Sequence, residues 1–394
     1  MMRLGDATEM LVGFAFKSAG FLDAEAEGIP LLRGENVQQG YIRWGDKTKK
    51  WSVADSVDLD RYRLAEGDVI LAMDRPIVGD GLKMAWIQPG DLPSLLVQRV
   101  CRLRGVPGVS RTKYIRYVLA APEFSAHIHS ITTGANIPHI SSRDISAYEF
   151  HLPSLNDQAR ISEVLAAYDD LIATNQRRIT LLEDAARLLY REWFVHLRFP
   201  GHELVPVRDG VPQGWRRSPL DQALFLQRGF DLPNGDRVAG EVPIYSSTGI
   251  NGFHNEAKAK GPGVVTGRSG TLGVVHYVPN DYWPLNTSLW VKEFRSVSPL
   301  LAYFMLTDLK LDQFNSGASV PTLDRKVAHQ IPVLIPAGDV NAQFDAIVQP
   351  LFDQIHTLNA NNATTAQARD LLLPKLMSGQ LDVSSIALPD EVPA

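Results

Sequence analysis

The chain has 394 residues, 45% of them hydrophobic and 21% charged, with a formal net charge of -5. That length and composition suit a soluble protein of two or three domains. No apolar run approaches the ~20 residues of a membrane span, the first residues lack the order of a signal peptide, and the single cysteine, Cys101, excludes an internal disulfide and a cysteine-built zinc site. A reducing cytoplasm is the expected home. The acidity is local. Residues 1–150 sum to 0, residues 151–200 to -1, residues 201–335 to +1 and residues 336–394 to -5. Neutral globular segments argue against binding nucleic acid by phosphate attraction alone, and leave room for a basic partner.

Residues 1–150 read as a mixed, mainly β segment. Gly28–Arg33 and Gly67–Ala72 are expected strands between turn residues, and Tyr114–Leu119 an expected helix ended by Ala121-Pro122. His127 and His129 lie close together but have no acidic cluster beside them, so they read as surface or packing residues, not metal ligands. From about Asn156 to Phe199 one long helix is expected. Its seam recurs in 4-3-4-3 order: Ile161, Leu165, Tyr168, Ile172, Asn175, Ile179, Leu182, Ala186, Leu189 and Trp193. At ~1.5 Å per residue, some 40 residues make a rod of roughly 60 Å. A rod of that length is a spacer.

Residues 201–335 repeat the scheme. Strands are expected at Val242–Tyr245, Gly263–Thr266, Gly273–Tyr277 and Leu289–Val291, with a helix over Pro299–Leu309. The glycine-rich Gly267–Gly273 resembles a phosphate cradle only in composition. It lacks the P-loop spacing and precedes a strand, so a strand-to-strand turn is the better reading. Asp74-Arg75-Pro76 fills the corresponding place in the first half. Adding 183 to the first seam gives a second: Phe344, Val348, Leu351, Ile355, Leu358, Asn362, Thr365, Arg369 and Leu372. The same offset carries Gly134-Ala135-Asn136-Ile137-Pro138 onto Gly317-Ala318-Ser319-Val320-Pro321. The chain is a tandem duplication, each half a globular segment followed by a long helix. Pro350 inside the second seam is expected to kink that helix or delay its start, and Pro374 to end it. Trp193 and Phe194 are expected to be exposed apolar residues awaiting a partner.

The two segments keep their frames but differ in polar loop content. The first offers Arg33, Asn36, Arg75, Lys83 and His139. The second offers Ser246, Ser247, Thr248, Asn251, His254, Arg268, Asn286, Asn315, Arg325 and Lys326. Divergent loops on a common frame suit two related readers of two different sequences. Motifs of an enzyme are missing: no Walker sequence, dinucleotide fingerprint, Asn/Asp-Pro-Pro run of amino-methyltransferases or nucleophile elbow is present.

Several stretches, in this order and spacing, resemble the DNA-specificity subunits of type I restriction–modification systems. Phe14–Ser18, Gly28-Ile29-Pro30 and Leu32–Asn36 resemble the opening of that family's target-recognition domain. Leu152–Ile161, Ala167–Ile172, Asn175–Ile179 and Tyr190–Phe194 resemble its first conserved helix, and Leu371–Gly379 its ending. The resemblance implies an α+β fold: a tandem duplication of two mixed, β-rich target-recognition domains separated by two long helices that pack as an antiparallel coiled coil. The expected divisions are a first recognition domain at 1–152, a first spacer helix at 153–200, a second recognition domain at 201–336, a second spacer helix at 337–378 and a tail at 379–394. Asn175 is expected in the seam near Asn362, where the pseudo-dyad crosses. The resemblance also implies a non-catalytic chain that reads a bipartite double-stranded DNA target. Two methyltransferase subunits would bring S-adenosylmethionine to adenine N6, and motor-nuclease subunits would use ATP and Mg. A coiled-coil scaffold without DNA specificity, or an enzyme with an unrecognised site, are the competing readings.

Overall fold

A computed structural model of the chain describes residues 1–79, 81–132, 138–317 and 319–383. The repeat segment Gly134–Ile137, its counterpart Ala318 and the tail beyond Val383 lie outside the described residues. The chain divides into two compact units, Met1–Ala173 with Asn362–Ala394, and Thr174–Asn361.

In the first unit the strands of the two main sheets are β1 (Thr8–Val12), β2 (Ile29–Leu32), β3 (Lys50–Trp51), β4 (Val69–Ala72), β5 (Met84–Trp86), β6 (Leu95–Leu96) and β7 (Val100–Gly105). They form a four-stranded antiparallel sheet in the order β1-β7-β4-β5 and a three-stranded sheet in the order β3-β2-β6. The run Val69-Ile70-Leu71-Ala72 is apolar throughout because β4 is covered on both sides. Val69 and Leu71 join the core beneath helix α1 (Thr112–Ala120), and Ile70 and Ala72 join the opposite core. Helix α2 (Pro122–Thr132) follows α1. His127 Nε2 and His129 Nδ1 lie 3.0 and 2.8 Å from the Asp144 and Ser125 carbonyls. Among the described residues no group of His, Cys, Asp and Glu is placed to hold a metal.

The second unit rebuilds this plan. The strands of its two main sheets are β8 (Leu224–Arg228), β9 (Val242–Ser246), β10 (Gly249–His254), β11 (Gly263–Gly267), β12 (Val275–Val278), β13 (Trp283–Pro284) and β14 (Ser288–Phe294), and the helix packed beneath them is α4 (Pro299–Asp308), after the first long helix, α3 (Leu155–Tyr190). The two main sheets are β8-β14-β11-β12 and β10-β9-β13, which is the first unit's order strand for strand. Val264 and Val265 again face opposite cores. The glycine-rich stretch joins the antiparallel pair β11 and β12, as a strand-to-strand turn.

The expected seams are covered. Ile161, Leu165, Asn175, Ile179, Ala186 and Trp193 are buried, and Tyr168, Ile172, Leu182 and Leu189 are half-buried. On the last helix, α5 (Gly338–Met377), Phe344, Val348, Ile355 and Leu358 are buried, and Leu351, Asn362, Thr365, Arg369 and Leu372 are half-buried. Neither Asn175 nor Asn362 lies on an open solvent face. Within the first unit, Ile161, Val164 and Leu165 share a core with Leu373, Leu376 and Met377. Within the second, Ile179 clusters with Ile355 and Leu358, and Trp193 meets Phe344 at 6.0 Å. In both units advancing along α3 means retreating along α5, so the helices run antiparallel.

Three expectations are corrected. Helix α5 neither starts late nor breaks at Pro350, because Pro350 and Ala346, whose carbonyl loses its usual donor, both face solvent. Nor does Pro374 end it. The buried Leu373, Leu376 and Met377 hold the last turn, and Gly379, at φ 74°, stops it. Trp193 is buried at 5% exposure and Phe194 is half-buried, with Phe194 packed on Phe344 and Trp215, so both belong to the chain's own core.

The joint between sheet and long helices is built in two chemistries. In the first unit Arg116 sits over Trp86, its Cζ 3.2 Å from the ring centroid, and bonds to Asp169. Asp169 also accepts from Tyr117 Oη at 2.8 Å and Arg369 Nη1 at 2.7 Å. A cavity of about 710 Å³ opens beside them, lined in part by Leu82, Met84 and Pro122. In the second unit Tyr277 pairs with Val264 as Trp86 pairs with Val69. There Tyr277, Tyr303 and Phe352 pack ring on ring, at 5.0 Å and 5.7 Å to Phe352. The 183-residue offset sets Phe352 where the first unit has Asp169, and Ala186 where α5 has Arg369.

One buried histidine makes the second unit acid-sensitive. His329 Nε2 accepts the Leu226 N–H at 2.9 Å, which requires an unprotonated nitrogen. Burial, followed by the nearby Arg325, holds its pKa below the ordinary 6.5. A depressed pKa contributes stability above the unfolded value and loses it as pH falls through the folded one. Melting temperature is therefore expected to fall as pH drops from about 7 to about 5. His329→Gln, whose amide oxygen accepts without titrating, should flatten part of that slope. An unchanged slope in the variant would count against the assignment.

Candidate nucleic-acid interface

Both units hold a loop tip in the same backbone frame. In the first, Met73 N–H donates to Arg99 O at 2.8 Å, Arg75 N–H to Pro138 O at 2.8 Å and Ile140 N–H to Met73 O at 2.9 Å. In the second, Arg268 N–H donates to Thr287 O at 2.9 Å, Gly270 N–H to Pro321 O at 2.9 Å and Leu323 N–H to Arg268 O at 2.8 Å. Arg75 and Gly270 thus occupy equivalent tips, and both have left-handed backbone, at φ 45° and 90°.

The side chains on this frame differ. In the first unit the tip lies in a cationic cluster. Asp74 is its anchor, accepting from Arg99 Nη1 at 2.8 Å and lying 2.5 Å from His139 Nδ1. Burial raises the Asp74 carboxyl, but the His139 and Arg99 bonds outweigh it and leave it below the usual carboxylate range. Arg33 pairs with Glu35 at 2.6 Å. Lys83 lies within electrostatic reach of Glu35, Arg75, Asp74 and Arg43, and burial is the main reason its pKa is lowered. Five cations, Arg33, Arg43, Arg75, Lys83 and Arg99, therefore gather with two carboxylates. Asn36 belongs to the scaffold: it is buried, accepts from Arg33 N–H at 3.0 Å and donates to Arg43 O at 3.1 Å.

In the second unit the cluster is more polar. Arg268 Nη1 donates to Asn286 O at 3.2 Å, and Asn286 Nδ2 donates to Asp231, which Arg228 approaches at 3.6 Å. Gly270 lies against Ser247 Oγ. Asn315 Oδ1 accepts the Gly317 and Thr322 N–H groups, each at 2.9 Å, and so shapes the neighbouring loop. Ser246 and Thr248 bond to each other at 3.0 Å, and Asn251 receives Arg237. His254 is buried and accepts the Val238 N–H at 3.0 Å, which holds its own loop. Arg325 is held over Phe225, and Lys326 is exposed beyond the helix cap Asp324.

Arg43 and Arg99 were not singled out in the sequence, and Asp74 only as part of the turn Asp74-Arg75-Pro76. The 183-residue offset fails upstream of the repeated Gly-x-x-x-Pro stretch, because loop lengths differ between the halves, and with it goes the pairing of Arg99 with Thr287.

Residues 1–184 match the family described as the type I restriction modification DNA specificity domain. The chain is also 30% identical, over 418 aligned positions, to the type I restriction enzyme EcoBI specificity subunit of Escherichia coli, covering 94% of this chain and 83% of that one. The chain belongs to the type I specificity subunits. The EcoAI specificity subunit of Escherichia coli is 34% identical over 174 residues, 44% of this chain, and the match spans only 28% of that protein's length. The type I S subunit of M. genitalium shares the fold, with a TM-score of 0.61, 16% identity and 95% coverage of both chains. No described helix of this specificity subunit is long and apolar enough to cross a membrane.

Proposed function

We propose that this specificity subunit reads a bipartite double-stranded DNA target, one half-site per unit, and directs partner subunits to it. The observation that carries this is the backbone frame built twice with different side chains, cationic around Arg75 and polar around Gly270. Arg, Asn and Ser side chains on protruding loops suit base edges in the major groove, where arginine matches guanine and asparagine matches adenine. The remaining cations of the first cluster suit phosphates.

The chain supplies address, and the chemistry belongs to partners. Two methyltransferase subunits carrying S-adenosylmethionine would flip and methylate adenine at N6. Motor-nuclease subunits with ATP and Mg would complete the restriction form in the cytoplasm. Leu181 and Leu188, one heptad apart on α3, are 68% and 61% exposed, an apolar stripe suited to a helix of such a partner.

The test is methylation mapping. The chain is expressed with its neighbouring methyltransferase in a host lacking adenine methylation, and modified adenines are sequenced. A split motif with a fixed gap, dependent on this chain, is expected. Modification that persists without the chain would favour a scaffold that carries no address.

A further inference from the structure

The loop tip of the first unit carries an arginine in a conformation that disfavours any side chain. Arg75 sits at φ 45° and is exposed, and none of the described residues forms an ion pair with it. Its neighbours are engaged: Arg99 and His139 are both tied to Asp74, and Arg33 is tied to Glu35. The backbone on either side is fixed by the Arg75 N–H to Pro138 O bond and by the bridge between Asp74 and His139. At the equivalent tip the second unit has Gly270, in the same left-handed region and with the same bond to a proline carbonyl. Glycine is what this backbone asks for. A non-glycine residue held there at a conformational cost, on a rigid mount and with its charge unspent, points to use of the side chain itself.

We propose that Arg75 is a specificity-determining residue of the first unit, recognising one guanine by a bidentate contact in the major groove, and that the second unit makes no such contact from its glycine tip. This rests on the bipartite-reading proposal above. A guanidinium fork matches guanine O6 and N7, whereas a phosphate contact would carry no sequence information. The surrounding cations Arg43 and Lys83 supply the backbone attraction, so Arg75 is free to discriminate.

The variant Arg75→Gly gives the first tip the residue the second already has. It relieves the left-handed strain and leaves Asp74, Arg99 and His139 in place, so folding is not at risk. The experiment is methylation mapping of the whole complex with wild type, Arg75→Gly and Arg75→Lys. Arg75→Gly is expected to relax one guanine position in one half-site by roughly ten- to a hundredfold in discrimination. The other half-site and the gap should be unchanged. Arg75→Lys keeps the charge without the planar fork, and should retain more occupancy while discriminating less than wild type. If Arg75→Gly keeps every position of the motif, whether at full or at uniformly lowered occupancy, the assignment is overturned and Arg75 does not read a base. A wild-type complex that yields no split motif overturns the bipartite reading, and this proposal with it.

Discussion

Asp169→Ala is expected to destabilise the first unit by about 3–5 kcal/mol, because it strands Arg116, whose one carboxylate partner among the described residues it is, and leaves Arg369 with Asp370 alone. Arg116 is 12% exposed and Arg369 31%, with Asp169 itself at 14%. Asp169 also accepts the Tyr117 hydroxyl. Removing the acceptor leaves Arg116 between Trp86 and an emptied site, next to a cavity that already lacks packing. At the scale of this unit the loss corresponds to roughly 10 °C in its melting transition. A melt shifted by less than about 3 °C would show that water replaces the carboxylate at little cost.

The second unit indicates how the loss can be repaired. Its joint is a ring cluster of Tyr277, Tyr303 and Phe352, with Ala186 on the facing seam. Apolar replacements of a buried ionic network are often neutral or stabilising when all its members go together. The triple variant Arg116→Tyr, Asp169→Phe, Arg369→Ala copies that arrangement and is expected to recover most of the stability that Asp169→Ala loses. Recovery no better than the single variant would mean that the two joints differ in shape as well as in chemistry.

Lengthening both long helices is expected to change the target's gap and nothing else. Four residues inserted into α3 and four into α5 add ~6 Å to each, about two base-pair steps at ~3.4 Å. Methylation mapping should then return the same two half-sites separated by roughly two more base pairs. An unaltered gap would separate the helices from any measuring role. Loss of one half-site would show that the insertion had disturbed a recognition loop.

The heptad seams were legible because burial follows their spacing so closely. Every seam residue from Ile161 to Trp193 is buried or half-buried, and so is every one from Phe344 to Leu372. The strands were legible where both faces are covered, as in Val69–Ala72, since a continuous apolar run between turn residues has few alternatives. Local rules misjudged the prolines. A rule about helix interiors does not see that Pro350 points its lost hydrogen bond at solvent, or that Leu376 anchors the turn beyond Pro374. Exposure of Trp193 and Phe194 was misread because Phe344, their cover, lies some 150 residues away. The candidate loops were the least legible part. Asn36 and His254 carry side chains suited to bases, and the structure shows each of them holding its own loop. Arg99 became visible only when its carbonyl was seen to hold the tip that carries Arg75.

Cys101, set in β7 with no exposed surface, has a practical consequence. Burial pushes its thiol up to about 12, so at neutral pH the thiolate that alkylating reagents attack is scarce, and the buried sulfur is out of their reach. The native chain is therefore silent to maleimide chemistry without mutation. A single cysteine introduced at a loop tip becomes a unique address for a fluorophore or a cross-linker. Each candidate loop can in this way be tested for an encounter with DNA, one position at a time, against a dark background.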